Sequence, residues 1–159
     1  MLNTGCQTEL DDDGRHGGID VGREANLALI ERYFDLVMRG TGDPANVFAD
    51  DVAWHLPRTN PMGGPHRGRD AVLTMLESGV ALYEPAAMSS EVHTVVADDE
   101  HVALRLTFRT RTTAGRDYEG EYQFIFECRD GLITNVWESP DTLYQDQIGV
   151  FDPLTSTTE

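Results

Sequence analysis

Two stretches in the second half of the chain alternate apolar with polar residues, at 102–109 and 118–127. Strict alternation is the pattern of a β-strand that buries one face. Ala114-Gly115 predicts a turn between these strands, and Arg129-Asp130-Gly131 predicts a tight hairpin turn into a further strand over 132–138. Strands joined by such short connections pair with one another, so this half of the chain is predicted to form an antiparallel sheet.

The first half of the chain supplies helices that can cover one face of this sheet. Apolar residues recur at spacings of three and four, the period of an amphipathic helix, and Asp43-Pro44 combines a capping residue with a proline at the first helical position. Helices are expected at 23–39, 44–48 and 69–83, short strands at 53–56 and 92–96, and a loop at 59–68. Helices followed by strands predict the α+β class, with three N-terminal helices packed on a curved sheet.

One domain is predicted over residues 23–150, and a hydrophobic content of 40% is enough for one core. Residues 1–22 and 151–159 are polar and carry almost no apolar periodicity, so both are predicted to be disordered tails. The N-terminus lacks a basic region followed by an apolar one, so no signal peptide is expected. Cys6 and Cys128 lie far apart in the sequence, which favours a reduced cytoplasmic location over a disulfide.

The formal net charge of −16 excludes several classes of partner. Phosphate backbones are bound by clustered lysine and arginine, so nucleic acid is not expected as a partner. An anionic membrane surface is not expected either, and no apolar run approaches the length needed to cross a bilayer. The acidity is interpreted as a solubility feature.

Two carboxylates, Glu138 and Asp141, stand three residues apart where the last predicted strand ends. A carboxyl beside apolar walls loses hydration, which raises its pKa and suits it to general acid or base catalysis. Alternation places Glu138 on the same face as Val136 and turns Trp137 to the other face, so Glu138 is expected to point inward. The competing interpretations are a solvated strand-end charge for Glu138 and a helix N-cap for Asp141, which precedes a short helical segment.

Several aromatic and histidine residues are candidates for a pocket. Tyr33 lies on the apolar face of the first helix, as a core residue or a functional one. Trp54 and His55 point to opposite faces of their strand, and Trp54 is preferred as a pocket wall. The full set of predicted substrate-binding residues is Trp54, Phe48, His66, Leu104, Tyr122, Phe124 and Trp137.

No histidine and carboxylate spacing typical of a metal site is present, and no glycine-rich phosphate loop follows a strand. Arg105, Arg109 and Arg111 share one strand face and are expected to form ion pairs with Glu119 and Glu121 across the hairpin. The chemistry that remains is proton transfer in an apolar pocket, without a cofactor.

Motifs over residues 24–150 resemble the nuclear-transport-factor-2-like superfamily, and within it the SnoaL-like polyketide cyclases and relatives of ketosteroid isomerase. The motifs are Glu31-Arg32-Tyr33-Phe34, Gly42-Asp43, Phe48-Ala49-Asp50-Asp51-Val52-Ala53-Trp54-His55, Pro61-Met62-Gly63-Gly64, His66-Arg67-Gly68-Arg69-Asp70-Ala71-Val72, Trp137-Glu138-Ser139-Pro140-Asp141 and Gln147-Ile148-Gly149. The resemblance implies a cone-shaped sheet around an internal apolar pocket.

The match to ketosteroid isomerase is incomplete. Its tyrosine donor corresponds to Tyr33, but the place of its aspartate base is occupied by Leu56, just before Pro57. Its second aspartate would fall near Tyr122 or Gln123, and neither is a carboxylate. The resemblance therefore argues against isomerase chemistry of the steroid type.

The match to SnoaL-like cyclases singles out Asp141, which follows Trp137 by four residues and precedes Gln147-Ile148-Gly149. The assisting histidine of some cyclases would be His93 or His101. The resemblance implies that Asp141, Glu138, Tyr33 and one of these histidines are catalytic.

The function expected from this resemblance is that of a cofactor-independent cyclase or isomerase of natural-product biosynthesis. It would close a ring by aldol condensation or epoxide opening in an apolar polyketide-like or terpenoid-like intermediate. The alternatives are an epoxide hydrolase in the same pocket and a non-catalytic module for ligand binding or dimerisation. The resemblance also implies a homodimer.

Overall fold

The structure of the protein is a computed structural model, and it describes residues 21–155. Four α-helices are present in this range: α1 (Val21–Arg39), α2 (Arg69–Val80), α3 (Thr142–Gln147) and α4 (Asp152–Thr155). Six strands are present: β1 (Phe48–His55), β2 (His66–Arg67), β3 (Ser89–Ala97), β4 (His101–Arg111), β5 (Asp117–Arg129) and β6 (Leu132–Pro140). Short 3-10 turns span Pro44–Val47 and Pro85–Ala87.

All six strands belong to one curved, unclosed sheet in the order β2-β1-β6-β5-β4-β3. The predicted α+β class is confirmed. The expectation of a wholly antiparallel sheet is corrected at one position, because β1 pairs with β6 in parallel. A parallel pair needs a long connection, and here α2 and four strands separate the two partners along the chain.

The β5–β6 hairpin turns where the sequence predicts a tight turn. Asp130 has φ of 53° and Gly131 has φ of 74°. Positive φ at both central residues is the requirement of a type I′ turn, whose twist matches that of the flanking strands. Arg129 and Leu132 pair directly across it. This turn and a one-residue register shift between Glu127 and Cys128 together bring Glu138 opposite Phe124.

Strand β1 starts five residues earlier than the sequence pattern indicates. The predicted strand covers 53–56, whereas β1 runs over Phe48–His55. Two consecutive exposed carboxylates, Asp50 and Asp51, interrupt the alternation at a point where the pairing with β6 is irregular. An irregular register breaks the period-two signal on which strand prediction depends.

The chain beyond Val150 also differs from the predicted tail. Phe151 is buried, and α4 follows it. A single aromatic residue that packs into the core is enough to order the segment, and it leaves no periodic pattern. The remainder of both predicted tails, residues 1–20 and 156–159, lies outside the described residues.

The core fills the space between the inner face of the sheet and the helices α1 and α2. Its largest fully buried side chains include Trp54, Tyr118, Phe48 and Phe126. Within residues 21–155, no helix is both long and apolar enough to cross a membrane.

Candidate active site

A cavity of about 140 Å³ opens between the helices and the concave side of the sheet. An apolar cavity of this size accommodates a single six-membered ring. Its walls are mainly aromatic and aliphatic, and they include four methionines. These methionines are Met38, Met62, Met75 and Met88. Methionine side chains are unbranched and adapt to ligand shape, so this wall can deform around a bound molecule.

Glu138 is the carboxylate of the cavity. It lies on β6, two residues beyond Val136, which pairs with Trp54 of β1. Strand alternation turns both Trp54 and Glu138 toward the inside of the sheet. The indole Nε1 of Trp54 donates a hydrogen bond of 2.8 Å to Oε2 of Glu138. Among the cavity-lining residues in the described chain, none other than Glu138 has a carboxyl group, and none is arginine, lysine or histidine.

The surroundings of Glu138 raise its pKa from 4.5 to about 7, because burial removes water from the charged form. The hydrogen bond from Trp54 acts in the opposite direction, since it stabilises the carboxylate. At neutral pH both protonation states are therefore populated. A group in this condition can accept a proton in one step and return it in the next.

Tyr33 of α1 lines the same cavity and packs against Trp54, with ring centroids 6.0 Å apart. Burial, and then the nearby charge of Glu138, hold the pKa of Tyr33 well above its usual value. The phenol therefore remains a neutral hydrogen-bond donor across the neutral pH range. Leu56 also lines the cavity, so the position of the isomerase base presents an apolar side chain.

A second polar group in the cavity is formed by Gln145 of α3 and tyrosine hydroxyls. Gln145 Nε2 donates to the hydroxyls of Tyr122 and Tyr83, at 2.9 Å and 3.2 Å. Tyr118 donates to the hydroxyl of Tyr122 at 3.2 Å. We call these four residues the hydroxyl cluster; Tyr83, Tyr122 and Gln145 line the cavity.

A glycine in β5 makes this cluster possible. Tyr118, Gly120 and Tyr122 share one face of the strand. A Cβ atom at position 120 would collide with the ring and hydroxyl of Tyr118. The Tyr118 ring therefore lies across the glycine, and its hydroxyl reaches the tyrosine two positions beyond that glycine.

Asp141 lies at the start of α3 and is exposed. Its Oδ1 accepts a hydrogen bond of 3.0 Å from the backbone N–H of Tyr144, which is the geometry of an N-cap. In the described chain it is not among the residues that line the cavity. The structure thus separates the two carboxylates that the sequence places three residues apart.

The model of the SnoaL-like domain family matches residues 30–136. The chain belongs to the SnoaL-like family. No curated protein matches it. The family match covers α1 from residue 30 on, the sheet through Val136 and most cavity-lining residues, but it ends before Glu138, Gln145 and Phe151.

Solved structures show that the SnoaL-like chain has the nuclear-transport-factor-2-like fold. An NTF2-like protein from Burkholderia xenovorans LB400 is 23% identical, with 79% of this chain and 95% of that chain covered and a TM-score of 0.65. A candidate polyketide cyclase from Xanthomonas campestris pv. campestris is 20% identical over 81% and 98% of the two chains, with a TM-score of 0.63. A candidate ketosteroid isomerase from Kribbella flavida DSM 17836 is 23% identical over 74% and 78%, with a TM-score of 0.58.

The two histidines considered for the SnoaL-like site lie elsewhere. His93 is exposed on β3, and its Nε2 lies 2.7 Å from the hydroxyl of Thr107. His101 begins β4 and lies 3.4 Å from Asp98. Neither is among the described residues that line the cavity. His93 lies on an exposed stretch of β3, and His101 lies at the turn where β4 begins.

Three of the seven predicted substrate-binding residues line the cavity, and the other four do not. Trp54, Tyr122 and Phe124 line the cavity. Phe48 and Leu104 are buried in the core beside it, and His66 is part of the short strand β2. Trp137 lies on the opposite face of the sheet, where its ring stacks on His55 with centroids 5.0 Å apart. This placement corrects the assignment of Trp137 as a cavity residue, since alternation with Glu138 turns it outward.

The arginines of β4 form the ion pairs that the sequence predicts. Arg105 binds Glu121 at 2.8 Å and Arg109 binds Glu119 at 2.7 Å. Arg111 binds Asp117 at 3.2 Å. These pairs lie on the outer face of the sheet. Over residues 21–155, no cluster of three or more histidine, cysteine, aspartate or glutamate side chains could hold a metal ion.

Four polar cavity residues are absent from the site predicted from the sequence: Asn60, Ser90, Tyr83 and Gln145. Tyr83 ends the helix predicted at 69–83, but α2 ends at Val80 and Tyr83 instead forms a bridge with Thr112. Gln145 is a polar residue on the inward side of α3, between Tyr144 and Ile148, which pack against the core. A glutamine at an inward helix position is the signal that could have revealed it.

Proposed function

We propose that this SnoaL-like protein is a cofactor-independent cyclase or isomerase of natural-product biosynthesis, with Glu138 as its general acid and base. The observation that carries the proposal is a single carboxyl group in an apolar cavity, with a pKa of about 7 and an oriented hydrogen bond from Trp54. Catalytic carboxyls work best when their pKa lies near the operating pH.

In this reaction a proton moves from the ligand to Glu138 and then back to the ligand. The Glu138 carboxylate removes a proton from the carbon next to a ligand carbonyl, and the electron pair of that C–H bond forms an enolate. In an aldol ring closure, the enolate carbon attacks a second carbonyl carbon of the same molecule and forms the new C–C bond. The resulting alkoxide takes the proton back from Glu138. In an isomerisation, the proton returns to a different carbon.

Trp54 and Tyr33 support these steps in different ways. The Trp54 N–H fixes one oxygen of Glu138, which leaves the other oxygen to act on the ligand. Tyr33 remains protonated and can donate a hydrogen bond to the enolate oxygen, which stabilises the charge that develops there. Ring closure also gains from the cavity wall, because a confined chain is held close to its reactive conformer.

Asp141 enters this proposal as a structural residue. It caps α3, and α3 carries Gln145 into the cavity. The competing assignment is that Asp141 moves the proton. One pair of variants distinguishes it from the assignment to Glu138. Glu138→Gln removes the acid and base, whereas Asp141→Asn keeps a good helix cap and removes the carboxylate.

The test is hydrogen–deuterium exchange at the carbon next to a carbonyl. Acetophenone, a single-ring ketone of the size that the cavity accepts, is incubated with protein in D₂O, and the loss of its methyl proton signal is followed by NMR. We expect the wild type to accelerate exchange, with a rate that rises with pH around a midpoint near 7 because the carboxylate is the active form. Glu138→Gln is expected to lower the enzymatic rate by at least about a hundredfold.

Asp141→Asn is expected to retain most of the wild-type exchange rate. If it loses exchange while Glu138→Gln keeps it, Asp141 is the acid/base residue and our assignment is wrong. If both variants exchange as fast as an accelerating wild type, neither carboxylate is the base and the assignment is wrong. If the wild type does not accelerate exchange, the ligand-binding alternative gains support. Epoxide hydrolysis is less favoured, because it needs an arginine between two carboxylates and no described cavity residue is an arginine.

A further inference from the structure

The hydroxyl cluster contains an acceptor without a donor. Gln145 is only 4% exposed, and its Oε1 has no hydrogen-bond partner. Both hydrogens of its Nε2 are engaged by Tyr83 and Tyr122. A buried amide oxygen without a partner costs free energy, so its presence on a cavity wall needs an explanation. Because Gln145 lines the cavity, a bound ligand can supply the missing donor.

The same cluster also contains a hydroxyl hydrogen without a fixed acceptor. The Tyr118 hydrogen is used by Tyr122. The hydroxyls of Tyr83 and Tyr122 lie 3.5 Å apart, and only one of them can donate to the other. One O–H hydrogen therefore remains available. The cluster therefore carries one acceptor without a donor, Gln145 Oε1, and one hydroxyl hydrogen without a fixed acceptor.

We propose that this end of the cavity binds a hydroxyl group of the ligand, which accepts from a tyrosine O–H and donates to Gln145 Oε1. A hydroxyl is the smallest group that satisfies both at once, whereas a carbonyl or an ether oxygen can only accept. The substrate class is thereby narrowed to ring compounds that carry a phenol, enol or alcohol hydroxyl at one end. This inference rests on the cavity being the substrate site of the proposed function.

The position of the hydroxyl cluster relative to Glu138 gives the ligand an orientation. Phe124 pairs with Glu138 across β5 and β6, and Tyr122 is two residues from Phe124 on the same face. Two strand residues span about 7 Å, so the two polar groups are separated by roughly the length of one substituted ring. A ring with its hydroxyl at the cluster directs its opposite edge toward Glu138.

The test compares three single-ring probes that differ in one group. Phenol can accept and donate, anisole can accept but not donate, and toluene can do neither. Dissociation constants are measured by isothermal titration calorimetry at pH 7. We expect phenol to bind the wild type roughly five- to tenfold more tightly than anisole, since one additional hydrogen bond is gained. Equal affinity for phenol and anisole would overturn the inference.

Variants at Gln145 assign the preference to a residue. Gln145→Met keeps the length of the side chain but removes the acceptor, so the ratio of the two dissociation constants should fall to about one. Gln145→Glu keeps acceptor oxygens, so a preference for phenol should persist. If Gln145→Met does not fold, the wild-type ratio and the Glu variant decide the question. A preference that survives in folded Gln145→Met contradicts the inference.

Glu138→Gln separates this inference from the proposed function. It abolishes proton exchange if Glu138 is the base, but it should leave the preference for phenol over anisole unchanged. If the preference disappears in Glu138→Gln and survives in Gln145→Met, the hydroxyl is bound by Glu138 and the inference fails. If the wild type exchanges ketone protons but does not prefer phenol over anisole, the inference is wrong and the proposed function is unaffected.

Discussion

At the scale of single residues, the stability of the fold and the proposed catalysis favour different protonation states of Glu138. The pKa of this carboxyl rises from 4.5 to about 7 on folding, so the folded protein holds the proton more tightly than the unfolded chain does. The contribution of this group to stability is therefore fully present below pH 4.5 and is lost as the pH rises through 7. The carboxylate that catalysis needs is the form that burial destabilises.

Glu138→Gln should relieve this conflict. The amide fills the same space without a charge, so the variant is expected to gain stability relative to the wild type as the pH increases. Most of a difference of about 3 kcal/mol in the free energy of unfolding should develop between pH 5 and pH 8, because each pKa unit is worth about 1.4 kcal/mol. Urea unfolding of both proteins at the two pH values measures it. Parallel curves would contradict the raised pKa.

Trp54→Phe should raise the pKa of Glu138 further. The phenyl ring retains apolar contacts but removes the N–H that stabilises the carboxylate. We expect the titration midpoint of Glu138 to move up by about one pH unit, measured through the ¹³C shift of its carboxyl carbon. Trp137→Phe is the matched control, since that tryptophan lies on the outer face and should leave the midpoint unchanged.

Strand alternation was sufficient to predict that Glu138 points inward and that Trp54 forms a wall. It could not choose between Glu138 and Asp141, because a carboxylate that starts a helix can be a cap or a catalytic group, and spacing does not show which carboxyl faces the cavity. Gln145 and Tyr83 were not predicted as cavity residues for a related reason. Their cavity positions depend on how α3 and a turn pack, and neither leaves a periodic pattern.

At the scale of elements, the long strands β4, β5 and β6 were predictable because a half-buried strand has a strict period of two. Their ends extended by a few residues, where exposed polar positions carry no signal. The first half of β1 and the helix α4 were not predictable in this way. The irregular register of β1 removes the period-two pattern from its first half. The helix α4 is ordered by a single buried aromatic residue, Phe151.

Gly120 links β5 to the hydroxyl cluster, and a substitution there should be costly. In Gly120→Ala the new methyl group occupies the space of the Tyr118 ring, so the ring must move and the hydrogen bond to Tyr122 is lost. We expect a loss of about 2–4 kcal/mol in the free energy of unfolding, from overpacking and one buried hydrogen bond. Chemical denaturation measures the loss.

The double variant Tyr118→Ala with Gly120→Ala tests the cause. Once the ring is absent, the methyl group at position 120 meets no obstacle. The cost of Gly120→Ala should therefore be much smaller in the Tyr118→Ala background than in the wild type. Equal costs in both backgrounds would show that the glycine is needed for its backbone rather than for the tyrosine.

At the scale of the whole molecule, the outer face of the sheet carries a feature that the cavity does not explain. Cross-strand neighbours form an apolar row perpendicular to the strands, which we call the outer stripe. It consists of Val96, Ala103, Ile125, Trp137 and His55. Val96, Ile125 and Trp137 are 65%, 46% and 39% exposed. Exposed apolar rows of this kind are typical of interfaces.

The residues that flank the outer stripe favour a second copy of the chain as its partner. Arg105 lies in the row on one side, and Glu127 lies in the row on the other side. A two-fold axis along the stripe would place the Arg105 row of one copy over the Glu127 row of its partner. Such an isologous contact pairs the stripe with itself. It also brings Arg105, which binds Glu121 in its own chain, over the partner's Glu127 row, where Glu127 binds Arg129. We therefore propose that the protein is a homodimer through this face.

Ile125→Lys should abolish this dimer. Ile125 is the centre of the outer stripe, so two lysines would meet beside the axis without a partner charge. We expect the molar mass from light scattering to fall from twice to once the 17.7 kDa of the chain. Leu143→Lys is the matched control, because Leu143 is 66% exposed on α3, outside the stripe, and its change should leave the mass unchanged.

Because each copy carries a net charge of −16, added salt should strengthen the wild-type dimer. A wild-type protein that stays monomeric at high concentration and in 0.5 M salt would contradict the proposal.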